Sequence, residues 1–155
     1  MCMKPAVRGS LTRVTMAEQH DADGSVRISG SFELTAPAEV VFGVLTDPDR
    51  ISRWLPRGMN TESATGSEVR VRVGAQVHAY GVKAVPDALE VQWHSLDITG
   101  LHGAAQVYDA PAGGSVVHAD VVVPGRIAAE QRARDLLDEA MAHLQRDVSD
   151  NFNAG

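Results

Sequence analysis

The stretch Phe32-Glu33-Leu34-Thr35-Ala36-Pro37-Ala38-Glu39-Val40-Val41-Phe42 decides how the chain reads. Upstream of it the sequence alternates. Val26, Ile28, Phe32 and Leu34 share one parity, and Ser25, Arg27, Ser29, Ser31 and Glu33 the other, so this is a strand with one buried face. Pro37 ends the alternation and opens a short helix, where a missing N–H costs nothing. Val40, Val41, Val44 and Leu45 form that helix's apolar side. Asp47-Pro48 then starts a second short helix as N-cap and first helical residue. Trp54 and Leu55 close it, and Pro56 with Gly58 stops it.

Downstream, residues 59–124 alternate between short apolar runs and turns. Residues 59–64 form a polar strand. Val69, Val71 and Val73 alternate with Arg70 and Arg72, and Gly74-Ala75 turns the chain into a strand over 76–84. Pro86-Asp87 makes the next turn, after which Leu89, Val91 and Trp93 alternate with Glu90, Gln92 and His94. Residues 101–109 and 115–123 complete the series. Closely spaced strands with short connections imply an antiparallel meander. After Pro124-Gly125, residues 126–149 read as one long helix whose inward face carries Ile127, Glu130, Arg134, Leu137, Met141, Leu144 and Val148.

Residues 1–24 have neither period and are read as an unstructured N-terminal extension, with Met1 and Met16 both candidate starts. Residues 25–150 form one domain, and residues 151–155 are read as a flexible tail. A chain of 155 residues is long enough to bury a core without a disulfide or metal. Its 44% apolar and 22% charged residues are those of an ordinary globular protein. The net charge of −6 disfavours a nucleic-acid partner. The apolar runs are too short for stable membrane insertion. Cys2 stands alone, which excludes an intrachain disulfide and a Cys-based zinc site. The cationic start (Lys4, Arg8, Arg13) lacks the apolar core of a secretory signal, so the expected location is cytoplasmic.

The element order is strand, two short helices, six strands and a long helix. Together with Phe32–Phe42, Leu45-Thr46-Asp47-Pro48-Asp49-Arg50 and Trp54-Leu55-Pro56, it resembles the START-like (SRPBCC) superfamily, and within it the polyketide cyclase/dehydratase-like branch. The resemblance implies an α+β helix-grip fold: a curved, seven-stranded antiparallel sheet wrapped around a long C-terminal helix, with two short helices after the first strand. It also implies a cavity between sheet and helix that takes a hydrophobic small molecule such as a lipid or polyketide, in some members with cyclisation or dehydration. Plant members carry a Gly-rich loop where this chain has Ala64-Thr65-Gly66-Ser67-Glu68, so no phosphate-binding role carries over.

Side chains facing such a cavity follow from parity. Lys83 belongs to solvent, which turns Gln76, His78, Tyr80 and Val82 inward. His78 and Tyr80 are the candidate catalytic pair, the first able to move a proton near neutral pH and the second to hold an oxygen. The alternative is a His and a Tyr satisfied by nearby backbone. Trp93 is a candidate wall for a flat ligand, and the resemblance places Trp54 near the cavity mouth, where it either meets the ligand or anchors helix to sheet. Small inward residues, among them Gly30, Gly103, Ala105, Ala119, Ala133 and Ala140, leave room. Gly103, Ala105, Arg134, Leu137 and Met141 complete the candidate ligand-binding set. Glu130 and Arg134, four apart, read as a pair that either guards the entrance or lies on the surface.

His94 and His102 fall opposite each other if the intervening hairpin is tight. Parity nevertheless places His94 outside with Glu90 and Gln92, and Asp120 is the only further candidate ligand. No metal and no cofactor are expected. The favoured function is binding of a hydrophobic small molecule, with polyketide cyclisation or dehydration if the domain is catalytic. A lipid or quinone carrier or sensor and a protein-interaction module are the alternatives, and the chain is expected to be a monomer or homodimer.

Overall fold

The computed structural model describes residues 12–20, 24–125 and 130–154, with the backbone alone for 12–20 and 151–154. One antiparallel sheet holds eight strands in the order β1-β2-β8-β7-β6-β5-β4-β3. The strands are β1 (Thr12–His20), β2 (Val26–Leu34), β3 (Met59–Ala64), β4 (Glu68–Val73), β5 (Gln76–Val85), β6 (Glu90–Ser95), β7 (His102–Asp109) and β8 (Ser115–Val123). The helices are α1 (Ala38–Thr46), α2 (Ile51–Trp54) and α3 (Glu130–Ala154). The seven strands expected from residue 25 onward are all present, with the two short helices after the first of them and the long helix at the C-terminus, which is the helix-grip arrangement.

Three local expectations are corrected. The expected unstructured extension over 1–24 is a strand from Thr12 to His20, paired antiparallel with β2 and bulged between Arg13 and Thr15. That pairing satisfies the outer edge of β2, whose other edge is taken by β8. Residues 1–11, 21–23 and 126–129, the last of these expected as the start of the long helix, lie outside the described residues. The second short helix begins at Ile51 rather than Pro48. Asp47 instead organises the turn before it, its carboxylate accepting the Asp49 N–H at 2.9 Å. The long helix continues to Ala154, through the expected flexible tail. No Gly or Pro interrupts it before Gly155.

Turn chemistry fixes the registers. Gly74 (φ +62°) lets a two-residue loop close β4 onto β5 with Val73 opposite Gln76. Between β5 and β6 a single turn of 3-10 helix spans Pro86–Ala88 and ends at Leu89, which takes φ +51°. The strand therefore starts at Glu90, one residue later than alternation alone suggests. The N-terminus of α1 is satisfied from a distance: the Ala38 N–H donates to the Asp109 carboxylate on β7 at 3.0 Å.

The helix α3 packs on the β2–β8 end of the concave face. Phe32, Val117, Leu144 and Val148 are fully buried there, with Ala119, Ala140 and Met141 beside them and α1 closing the cluster through Val41, Val44 and Leu45. Burial of Phe32 and Leu144 contributes on the order of 2–3 kcal/mol each. A second cluster joins Val26, Ile28 and Val123 to Ala133 and Leu137. The small residues Ala119 and Ala140 thus let helix and sheet approach closely. A third cluster, Ile51, Val69 and Val71, sits under α2 at the other end of the sheet. The two ends are tied by Arg50, whose Nε and Nη2 reach the Asp147 carboxylate of α3 at 3.3 and 3.2 Å.

Candidate functional site on the concave face

His78, Tyr80 and Val82 stand on the concave face of β5. In register they oppose Val71, Val69 and, across β6, Trp93 and Ser95: Val71 faces His78, Val69 faces Tyr80, Ser95 faces Tyr80 and Trp93 faces Val82. Tyr80 and Val82 pack against the cluster under α2. The Tyr80 and Trp93 rings meet edge to face, with centroids 5.6 Å apart and planes at 85°. On the far side of Trp93 lies Gly103, directly opposite on β7. A Cβ on Gly103 would fall 2.6 Å from the indole, so the space a side chain would fill is occupied by Trp93. Ala105, two residues along β7, packs against the main core cluster.

The loop after β6 adds a carboxylate. Asp97 has the parity of Trp93 and Ser95, and its Oδ2 accepts the Ala79 N–H at 2.9 Å. The same oxygen lies 3.7 Å from His78 Nδ1, ion-pair range rather than hydrogen-bond range. The Ser95 hydroxyl accepts the N–H groups of Asp97 (3.2 Å) and Ile98 (2.8 Å) and so holds the turn. Burial, and then the negative charge of Asp97, push the Tyr80 phenol above its ordinary pKa. Tyr80 therefore remains a neutral hydrogen-bond donor at physiological pH. Asp97 was absent from the sequence-derived set. Its signal was the continuation of the Leu89–Val91–Trp93 parity past the end of the strand.

The remaining candidates are distributed elsewhere. Trp54 bridges the main core and the cluster under α2, and its indole N–H is buried without a hydrogen-bond partner. Met141 is core, and Leu137 touches both the main and the second cluster. Arg134 reaches Glu130 at 3.5 Å along α3. Structure therefore brings His78 and Tyr80 together with Asp97, sets Trp93 between Tyr80 and Gly103, and places Trp54, Leu137 and Met141 in the helix-side packing. No helix among the described residues is long and apolar enough to cross a membrane. Among the described residues no three His, Cys, Asp or Glu side chains converge as a metal site would require.

Comparison with known proteins bears on the fold. No family model matches the chain. No curated protein matches it either. Solved structures do. A START superfamily protein from Mycobacterium smegmatis superposes with a TM-score of 0.62 at 16% identity, over 79% of this chain and 97% of that one. A protein from Arthrobacter aurescens gives 0.67 at 16% identity over 90% and 93%. One from Nitrosomonas europaea gives 0.65 at 13% identity over 87% and 99%. At these identities the likeness is one of fold, and the fold of this chain is the START-like helix grip.

Proposed function

We propose that this protein binds a hydrophobic small molecule, of lipid or polyketide character, against the concave face of β4–β7. One observation carries the reading. The helix α3 leans on β2 and β8, and the apolar side chains Val82, Val91 and Trp93 on β5 and β6 of the concave face are only half-buried. An apolar surface recessed between helix and sheet, with a few convergent polar groups, is the usual form of a ligand site. The likeness to a START superfamily protein agrees with it.

The polar groups suit a carbonyl-bearing ligand. In an aldol-type cyclisation His78 would take a proton from carbon, and the Tyr80 hydroxyl would donate to the enolate oxygen that results. The enolate carbon would then attack a second carbonyl of the same molecule. The proton held by His78 would return to the new alkoxide, and dehydration would release that oxygen as water. Asp97 would steady the His78 cation, and Trp93 would pack against the forming ring.

Native mass spectrometry of the protein purified from its own host tests the binding: a retained small molecule is expected. An empty protein that also shows no saturable quenching of Trp93 fluorescence by apolar probes overturns it. Turnover of the retained compound tests the chemistry separately. If His78→Ala and Tyr80→Phe both leave it unchanged, the catalytic assignment fails while the binding stands.

A further inference from the structure

We propose that the opposite, convex face carries a second site, for a small polyanion. A groove of about 650 Å³ runs there across five strands, lined by Arg27, Lys83, Gln92, His94, His102 and Asp120. The register builds it row by row. Arg27 on β2 stands opposite Val122, Val122 opposite His102, His102 opposite His94, and His94 opposite Gly81. The next row is Ser29, Asp120, Ala104, Gln92 and Lys83. Gly81 and Ala104 keep the floor low. The His94 ring lies over Gly81, where a Cβ would come within 3.0 Å of Nε2.

The charge of this groove runs against that of the chain, which is −6 overall. Among the described residues Arg27, Lys83, His94 and His102 make no ion pair and no side-chain hydrogen bond. The acids nearby are engaged. Asp120 accepts from the Ser29 hydroxyl and lies 3.5 Å from His118 Nε2. Glu68, beside Gly81 on β4, pairs with Arg70 at 3.2 Å. Glu90, two residues before Gln92, faces the same side beyond the groove. What remains, among the described residues, is Arg27, His102 and His94 along one row and Lys83 at the end of the next, where the Asp120 carboxylate also stands.

The spacing selects the ligand. Arg27 and Lys83 lie four strand spacings apart, about 19 Å between backbones, less what two long side chains reach inward. A monovalent anion meets one cation. A molecule with several negative groups meets both, and gains hydrogen bonds from the two imidazole rings between them. Phosphates and carboxylates share this chemistry.

Isothermal titration with tripolyphosphate and with citrate tests the site. Saturable binding of tripolyphosphate alone marks a phosphorylated ligand, of citrate alone a polycarboxylate, and of both a site that counts charge. Arg27→Gln and Lys83→Gln should each weaken binding about tenfold, the loss of one charge-assisted hydrogen bond. Arg146→Gln, an equal charge change on the exposed side of α3, should leave it unchanged. No saturable binding of either probe, or full affinity in Arg27→Gln and Lys83→Gln, overturns the proposal.

Discussion

Trp93 lies flat over Gly103, so that a single methyl group at Gly103 would meet the indole at 2.6 Å and the backbone carbonyl of Asp120 at 2.7 Å. The glycine is therefore a condition for the aromatic wall of the site. Gly103→Ala should cost about 1–3 kcal/mol, the range for overpacking a well-filled interior, and should weaken the near-ultraviolet circular dichroism of the Tyr80–Trp93 pair. Combining it with Trp93→Ala should recover only part of the loss, because the Asp120 carbonyl is backbone and stays. Full recovery in the double-mutant cycle would mean that the ring alone excludes a side chain there.

Tyr80 should ionise above the usual tyrosine range. Burial is the larger cause and the charge of Asp97 the smaller. The difference between alkaline spectrophotometric titrations of the wild type and Tyr80→Phe isolates its phenol. Asp97→Asn should lower the transition without returning it to the ordinary tyrosine value, since burial persists. The linkage follows from the direction of the shift. A phenol whose pKa is raised on folding stabilises the native state fully below the ordinary value of 10.0, and that contribution disappears as pH rises through the folded pKa. Wild type should thus lose stability on passing pH 10.0 more steeply than Tyr80→Phe.

Much of this was legible before any coordinates. Alternation located the seven strands from residue 25 onward, because each buries one face and a slip of one residue would expose it. The same parity turned His78, Tyr80 and Trp93 to one side and His94 to the other, where it opposes His102 across the hairpin. The strand β1 was not legible. Thr12–His20 has no alternation, and what makes it a strand is the open edge of β2, a feature of the fold rather than of those residues. The boundaries of α2 and the left-handed Leu89 were hidden for a related reason, since they depend on how the chain leaves one element and joins the next. Small inward residues pointed to empty space as a class. They divide: Ala119 and Ala140 serve close helix packing, whereas Gly103 makes room for Trp93.

Asp147 is 7% exposed and holds both Arg50 (3.2 Å) and Arg53 (3.6 Å), so α2 is anchored to α3 through one carboxylate. Removing one partner of a fully buried pair costs about 3–5 kcal/mol, and the partial exposure of Arg50 lowers the expectation for Asp147→Ala to about 2–3 kcal/mol. Urea denaturation should register that loss. Because α2 carries Trp54, the variant should also shift the Trp54 emission. Arg53→Ala should cost under about 1 kcal/mol, since its side chain is 60% exposed. A loss from Asp147→Ala no larger than that from Arg53→Ala would mean that the pair does not hold α2 in place.

The strand β1 covers the only edge of β2 that β8 leaves free. A variant lacking residues 1–23 should present that edge, nine residues long, as a row of unpaired N–H and C=O groups. Two such edges are complementary. Size-exclusion chromatography at rising concentration should therefore find more self-association in the truncated chain than in the full one. Placing Lys at Ser29 or Ser31 should reduce it, because two paired edges would bring like charges together, and replacing an outward N–H of β2 by Pro should reduce it further. A truncated chain that keeps the association state and melting temperature of the full one would show that β1 contributes neither edge protection nor stability.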